Sequence, residues 1–224
     1  MPNTFSLQGS HVVVVGGTSG IGQAVAAAAQ AAGARVTVLG RSSAIACNLG
    51  SADSVNQVFA QVGALDHLVI TAGARVGSPS LGQLSDAELE QTYDIKLFGA
   101  LRAIRAALPG LAPQASITLT SGLLSRKPSA GGLLKGSVNA AIEAAARQLA
   151  KELAPRRVNV VSPGVVDTAL WSGPERDAAL ARIGSGLPVK RVGQVEDLAQ
   201  AYLLAMTNGF MTGSVIDVDG GGLL

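Results

Sequence analysis

The chain has 224 residues, 48% of them hydrophobic and 14% charged, with a formal net charge of +2. That length allows one domain with a sizeable core, and the lack of a long basic run leaves nucleic acid without a footing. A single cysteine, Cys47, excludes an internal disulfide, and two histidines with no partner cluster exclude a zinc site or a histidine-based triad. His11 and His67 each stand beside a predicted strand start and read as edge residues. No apolar run approaches the ~20 residues of a membrane span. No charged segment leads into an apolar signal core, so a cytoplasmic protein is expected.

In chain order, the apolar run His11 to Val15 predicts a buried strand. Gly16-Gly17-Thr18-Ser19-Gly20-Ile21-Gly22 follows and opens a helix over 20–32 with Ile21, Val25, Ala28, Ala29 and Ala32 on one face. A strand, a glycine turn and a helix N-terminus in that order make an anion site, because the first amides point outward and the dipole favours a phosphate. The glycines allow a sharp turn and close approach to a pyrophosphate. A second strand is expected at 35–39 and a third at 44–48, separated by little more than Arg41 to Ser43. A crossover helix needs at least about ten residues. It must be missing, which leaves the adenine end of a nucleotide site open. Helices at 53–62, 86–108, 137–154, 175–183 and 195–206 then alternate with strands at 66–71, 115–120, 157–161 and 214–218. The alternation predicts an α/β domain with a parallel sheet covered on both faces, and the absence of repeats or linkers makes 1–224 one domain.

With these elements in place, the chain resembles the short-chain dehydrogenase/reductase family along nearly its whole length. The resemblance rests on Gly16-x-x-x-Gly20-x-Gly22, Ala72-Gly73 after the fourth strand and Ser121 ending the fifth. It continues through Val158-Asn159-Val160-Val161-Ser162-Pro163-Gly164 with Thr168, Arg191-Val192-Gly193, Thr212-Gly213 and Asp217-Val218-Asp219-Gly220-Gly221. It implies a single Rossmann-type, doubly wound parallel sheet of about seven strands that binds NAD or NADP at the carboxyl ends. It also implies hydride transfer between nicotinamide and a carbonyl or alcohol, with Asn, Ser, Tyr and Lys as the usual catalytic set. Here Lys135 stands at the Tyr place, Asn139 at the Lys place and Lys96 at the Asn place; Ser121 alone remains. Thr71 replaces the usual Asn before Ala72, and Asn48 replaces the usual Asp at adenine.

The candidate coenzyme residues are therefore Gly16, Thr18, Ser19, Gly20, Ile21, Gly22, Arg41, Ser42, Asn48, Leu49, Ala72, Gly73, Pro163, Gly164, Val166 and Thr168. Arg41 follows the second strand where the adenine ribose is expected, and no acid occurs between Val36 and Ala52. An Arg there suits a 2′-phosphate, so NADP(H) is favoured over NAD(H). The catalytic candidates are Ser121, Lys135, Asn139 and Lys96. Lys135 and Asn139 are four apart on one helix face, so Lys135 either donates a proton to a developing alkoxide or attracts an anionic ligand. A nearby second cation, Lys96, would lower its pKa. Arg126 and Lys127 add positive charge beside Ser121. Tyr93 and Tyr202, the only tyrosines, read as packing residues. Ala169 to Pro188, with the lone Trp171, reads as a lid, the indole packing on a ligand or on the lid's own base. Helices 86–108 and 137–154, the latter rich in alanine, are by resemblance the interface of a homodimer or homotetramer. Two functions remain: an NADP(H)-dependent oxidoreductase acting on a small carbonyl or alcohol with a non-standard proton donor, and a catalytically silent NADP(H)-binding sensor or scaffold.

Overall fold

Strand β1 (His11–Val15) is buried at every position, as an unalternating run of valines requires when both sheet faces are covered. It pairs in parallel with β2 (Arg35–Gly40) on one side and β4 (Leu65–Ile70) on the other. β3 (Ile45–Ala46) closes the edge beyond β2, while β5 (Leu111–Thr120), β6 (Arg157–Pro163) and β7 (Val215–Val218) continue past β4. The result is a seven-stranded sheet in the order β3-β2-β1-β4-β5-β6-β7, seen in a computed structural model that describes residues 5–73 and 77–224. The strand order reverses between β1 and β4, and the crevice outside their carboxyl ends is where such sheets bind ligands.

Helices α1 (Gly20–Ala31) and α7 (Val195–Thr207) cover one face, packing Val25, Ala29, Leu198 and Tyr202 on Val12 and Val14. The opposite face carries α2 (Ala52–Val62), α4 (Gly99–Ala107) and α5 (Leu133–Glu152), with Val55, Ile104 and Ile142 against Val13, Leu68 and Ile117. α3 (Asp86–Tyr93) leads toward α4, and α6 (Arg176–Gly186) lies in the segment before α7. No helix among the described residues is long and apolar enough to cross a membrane.

Three expectations need correction. The third strand spans two residues rather than 44–48, because the chain turns at Asn48, whose amide donates to Ser54 Oγ at 3.1 Å, toward the start of α2. The helix expected over 86–108 is interrupted by a π turn, Asp94–Phe98, that joins α3 to α4. Neither histidine is an exposed edge residue. His11 bonds Ala64 O at 2.6 Å and Thr37 Oγ1 at 2.8 Å, and His67 Nδ1 lies 2.8 Å from Ser116 Oγ; both are buried. Tyr202 packs as expected, wholly buried with its hydroxyl 2.5 Å from Thr120 Oγ1.

Candidate active site

The turn between β1 and α1 is shaped by its glycines. Gly16 has φ +90°, and a Cβ on it would lie 2.6 Å from the backbone nitrogen of Ala72. A Cβ on Gly22 would lie 2.3 Å from the Gly16 carbonyl oxygen. The turn therefore folds back on itself and packs against Thr71 and Ala72 at the end of β4. Thr71 Oγ1 donates to Val15 O at 3.2 Å, so it ties the two strand ends together.

α1 opens without a side-chain cap: Ser19 makes no capping hydrogen bond, and no acid occupies the first turn. The first-turn amides of Gly20, Ile21 and Gly22 are thus left for an external acceptor, which fits the diphosphate of a dinucleotide. Across the crevice, Thr168 Cγ2 lies 3.7 Å from where a Gly20 side chain would begin. Gly164 packs so closely on Asp219 that a Cβ would come within 2.6 Å of its Cα. Gly20 therefore faces Thr168 while Gly16 packs on Ala72, which brings together the ends of β1 and β4 and the segment after β6.

Arg41 and Ser42 are exposed just past β2, and Arg41 forms no ion pair among the described residues. Two of the expected coenzyme contacts are limited to backbone. Leu49 is 6% exposed and packs against Gly99, and Val166 is 6% exposed and bridges to Gly193. Asn48 Oδ1 already accepts from the Gly50 amide at 3.1 Å, which orients the side chain in its own turn.

The catalytic candidates divide into two groups. Lys96 rises from the π turn, its stem passing 3.7 Å from where a Gly73 side chain would start. Its ammonium donates to Asn139 Oδ1 at 2.5 Å and to the Ser121 carbonyl at 3.3 Å. Asn139 Nδ2 donates to Gly122 O at 3.3 Å, so α3–α4, the end of β5 and α5 meet at one amide. Burial pushes the Lys96 pKa down to about 8.

Lys135 does not join this group: its Nζ donates to Ser78 Oγ at 2.9 Å on the loop after β4. The pairing of Lys96 with Lys135 expected from sequence is replaced by a pairing of Lys96 with Asn139. The Ser121 hydroxyl is also directed elsewhere. It donates to Glu143 Oε1 at 2.9 Å, and Ser125 Oγ donates to the same oxygen at 2.7 Å. Ser121 therefore meets Lys96 through its carbonyl, and the next residue, Gly122, turns its bare Cα toward Asn139: a Cβ there would lie 2.9 Å from Nδ2.

Glu143 was not singled out from sequence. Its signal is the four-residue step from Asn139, which puts both polar side chains on the buried face of α5. Arg126 and Lys127 are not free cations. Arg126 bonds Asp217 and Ser162 Oγ and lies 3.6 Å from Glu143 Oε2, and Lys127 donates to Gly222 O. They pin the loop after β5 to the C-terminal segment rather than charging the cleft.

The family profile described as Enoyl-(Acyl carrier protein) reductase matches residues 15–222. Short-chain dehydrogenase/reductase ucsE of Acremonium sp is 33% identical, with 97% of this chain and 97% of that protein aligned. Carbonyl reductase family member 4 of Xenopus laevis is 29% identical over 93% of this chain and 95% of its own. Among solved structures, a small-chain dehydrogenase in complex with NADPH superposes with a TM-score of 0.91 at 42% identity, covering 96% of this chain and 98% of that one. The fold and cleft are those of a nucleotide-binding oxidoreductase. The chain belongs to the short-chain dehydrogenase/reductase family.

Proposed function

We propose that the chain is an NADP(H)-dependent oxidoreductase that interconverts a small-molecule carbonyl and its alcohol. When bound, the nicotinamide coenzyme supplies or accepts the hydride. The chain's own part is to hold the diphosphate on the first-turn amides of α1, to seat the nicotinamide end near Pro163, Gly164 and Thr168, and to manage the substrate's proton. The oxidoreductase relatives do not favour a protein that only binds nucleotide.

The observation that carries the preference for NADP(H) is Arg41, exposed and unpaired among the described residues at the end of β2, with Ser42 beside it and no carboxylate from Val36 to Ala52. A guanidinium gives a 2′-phosphate several charge-assisted hydrogen bonds, and nothing there would bind a 2′-hydroxyl in the manner of an acid. The NADPH held by the structural neighbour agrees with this reading. Titration calorimetry tests it. NADPH should bind at least tenfold more tightly than NADH, and Arg41→Ala should erase that margin, a loss of about 1.5–3 kcal/mol for hydrogen bonds to a charged group. A tighter fit for NADH overturns it. The same proposal includes a homodimer or homotetramer built on α4 and α5, and a cytoplasmic setting in keeping with one buried, unpaired cysteine.

A further inference from the structure

We propose that Lys96 is the acid/base residue of this site, giving a proton to the substrate oxygen in reduction and removing one in oxidation. This rests on the oxidoreductase reading and names the group that completes it.

The placement of Lys96 is enforced by three elements. The π turn that carries it is clamped at both ends. Arg102 pairs with Asp94 at 2.7 Å and donates to Leu49 O at 3.1 Å, while Gly99 sits against Leu49 with no room for a side chain. A π turn inserts an extra residue per turn and re-aims the side chains it carries. Here it sends Lys96 across the end of β4 to α5. Asn139 and the Ser121 carbonyl receive two of the three ammonium hydrogens, and no acceptor among the described residues takes the third. The missing side chain of Gly122 lets the Asn139 amide pack against the end of β5, which holds its oxygen on the ammonium.

Both recorded partners of the ammonium are neutral oxygens. The nearby carboxylates are occupied: Asp94 by Arg102, and Glu143 by the Ser121 and Ser125 hydroxyls with Arg126 behind. On α5 the other cation, Lys135, is bonded to Ser78. An ammonium held by dipoles and not by a counterion keeps its proton less firmly, and it can release it to an oxygen on which negative charge builds.

Tyr202 and the two histidines do not fit the role. Tyr202 is sealed beneath the sheet and its phenol is pushed up by burial. His11 opens β1, at the sheet end opposite the cleft, and His67 faces Ser116.

The proton step balances as follows. In reduction the carbonyl carbon gains a C–H bond from the coenzyme's hydride, and the carbon–oxygen π pair becomes an oxygen lone pair. An Nζ–H bond breaks and an O–H bond forms, leaving an alcohol and a neutral Lys96 amine. Solvent returns a proton to that amine. Oxidation runs the same changes backward.

The chain has five lysines, so ¹³C-lysine labelling gives few enough signals to follow by pH titration. The signal lost in Lys96→Gln identifies Lys96, and its midpoint should fall near 8 in the coenzyme-free protein. A midpoint with the other lysines near ~10.4 overturns the proposal whatever the activity. In turnover, Lys96→Gln and Lys96→Arg should both lose about 100-fold or more in kcat, since general acid–base catalysis by one side chain is worth ~10²–10⁴. Lys96→Arg keeps the charge but holds its proton too firmly. If it retains near-normal kcat, charge and not proton transfer is the role, and the proposal falls. Wild-type reduction should decline above pH about 8 and oxidation should rise, and Lys96→Gln should lose both limbs. Failure of the wider reading looks different: the Lys96 midpoint falls near 8, yet calorimetry finds no NADPH binding.

Discussion

His67 shows how a single buried side chain sets a pH limit on this fold. Desolvation between β4 and β5 drives its pKa from an ordinary 6.5 down to about 4; the Asp66 carboxylate opposes that fall and the Arg157 guanidinium adds to it, while Ser116 Oγ lies 2.8 Å from Nδ1. The unfolded chain takes up that proton near pH 6.5, while the folded chain refuses it until about pH 4. Between those values the unfolded state holds more protons, so stability falls as pH falls through the window. The full span is worth up to about 3 kcal/mol at ~1.4 kcal/mol per pH unit. Urea denaturation at pH 7 and pH 4.5 should show a loss of about 2 kcal/mol in wild type that His67→Gln lacks, the amide still reaching Ser116. Equal losses in both proteins would assign the acid sensitivity to other groups. The sequence signal for His67 was its place beside a strand start; what it did not show was that β4 is central, with neighbours on both sides. Lys96 is a comparable case. Its residue type at the family's Asn place was readable, but its reach to Asn139 depends on a π turn that no periodicity announces.

At the scale of elements, the strand–turn–helix that opens the chain was legible nearly to the residue, because it is made of local rules: an unbroken valine run, glycines where side chains cannot fit, and a helix that starts without a cap. β1 and α1 begin where the pattern put them. The missing crossover before β3 was legible as well, since chain length alone forbids a helix there. What stayed hidden was tertiary. The start of α5 moved from the expected 137 to Leu133, and the Ser121 hydroxyl turned to Glu143, a partner 22 positions away. The tightest of the local rules invites a direct test. In Gly22→Ala the new methyl would meet the Gly16 carbonyl at 2.3 Å, and Gly16 cannot retreat because Ala72 already lies against it. The turn must open. Overpacking of this kind costs about 1–3 kcal/mol, and the first-turn amides would no longer converge on a diphosphate. Thermal unfolding should show the lower stability, and calorimetry should show NADPH affinity reduced at least tenfold. Unaltered affinity would mean that the diphosphate does not rest on this turn.

For the whole molecule, the open question in the architecture is what covers the outer faces of α4 and α5. Inward, these helices are fully engaged through Ala103, Ile104, Ile142 and Ala146. Outward, Ala140 and Ala144 are exposed, Ala141 and Ala145 are half-buried, and Phe98 is 48% exposed beside a shallow hollow lined by Leu101, Arg102 and Arg105. A helix of 20 residues is about 30 Å long, and alanine at successive turns lets a partner axis come within the ~8 Å end of the usual range. Were two copies to pair through these helices, stable association would need them to bury ~1,200–2,000 Å² in total. The same interface would brace the cleft, since Lys96 and Phe98 share the π turn and Asn139 precedes Ala140. Ala144→Arg puts a long charged side chain at the centre of that face without touching the core. Sedimentation at micromolar protein should find the wild type as a dimer or tetramer and the variant shifted at least one step toward monomer. The variant should also bind NADPH more weakly, because the π turn would lose its outer support. A wild type that sediments as a monomer would refute the assembly, and a dissociated variant with full NADPH affinity would show that each copy holds its cleft alone.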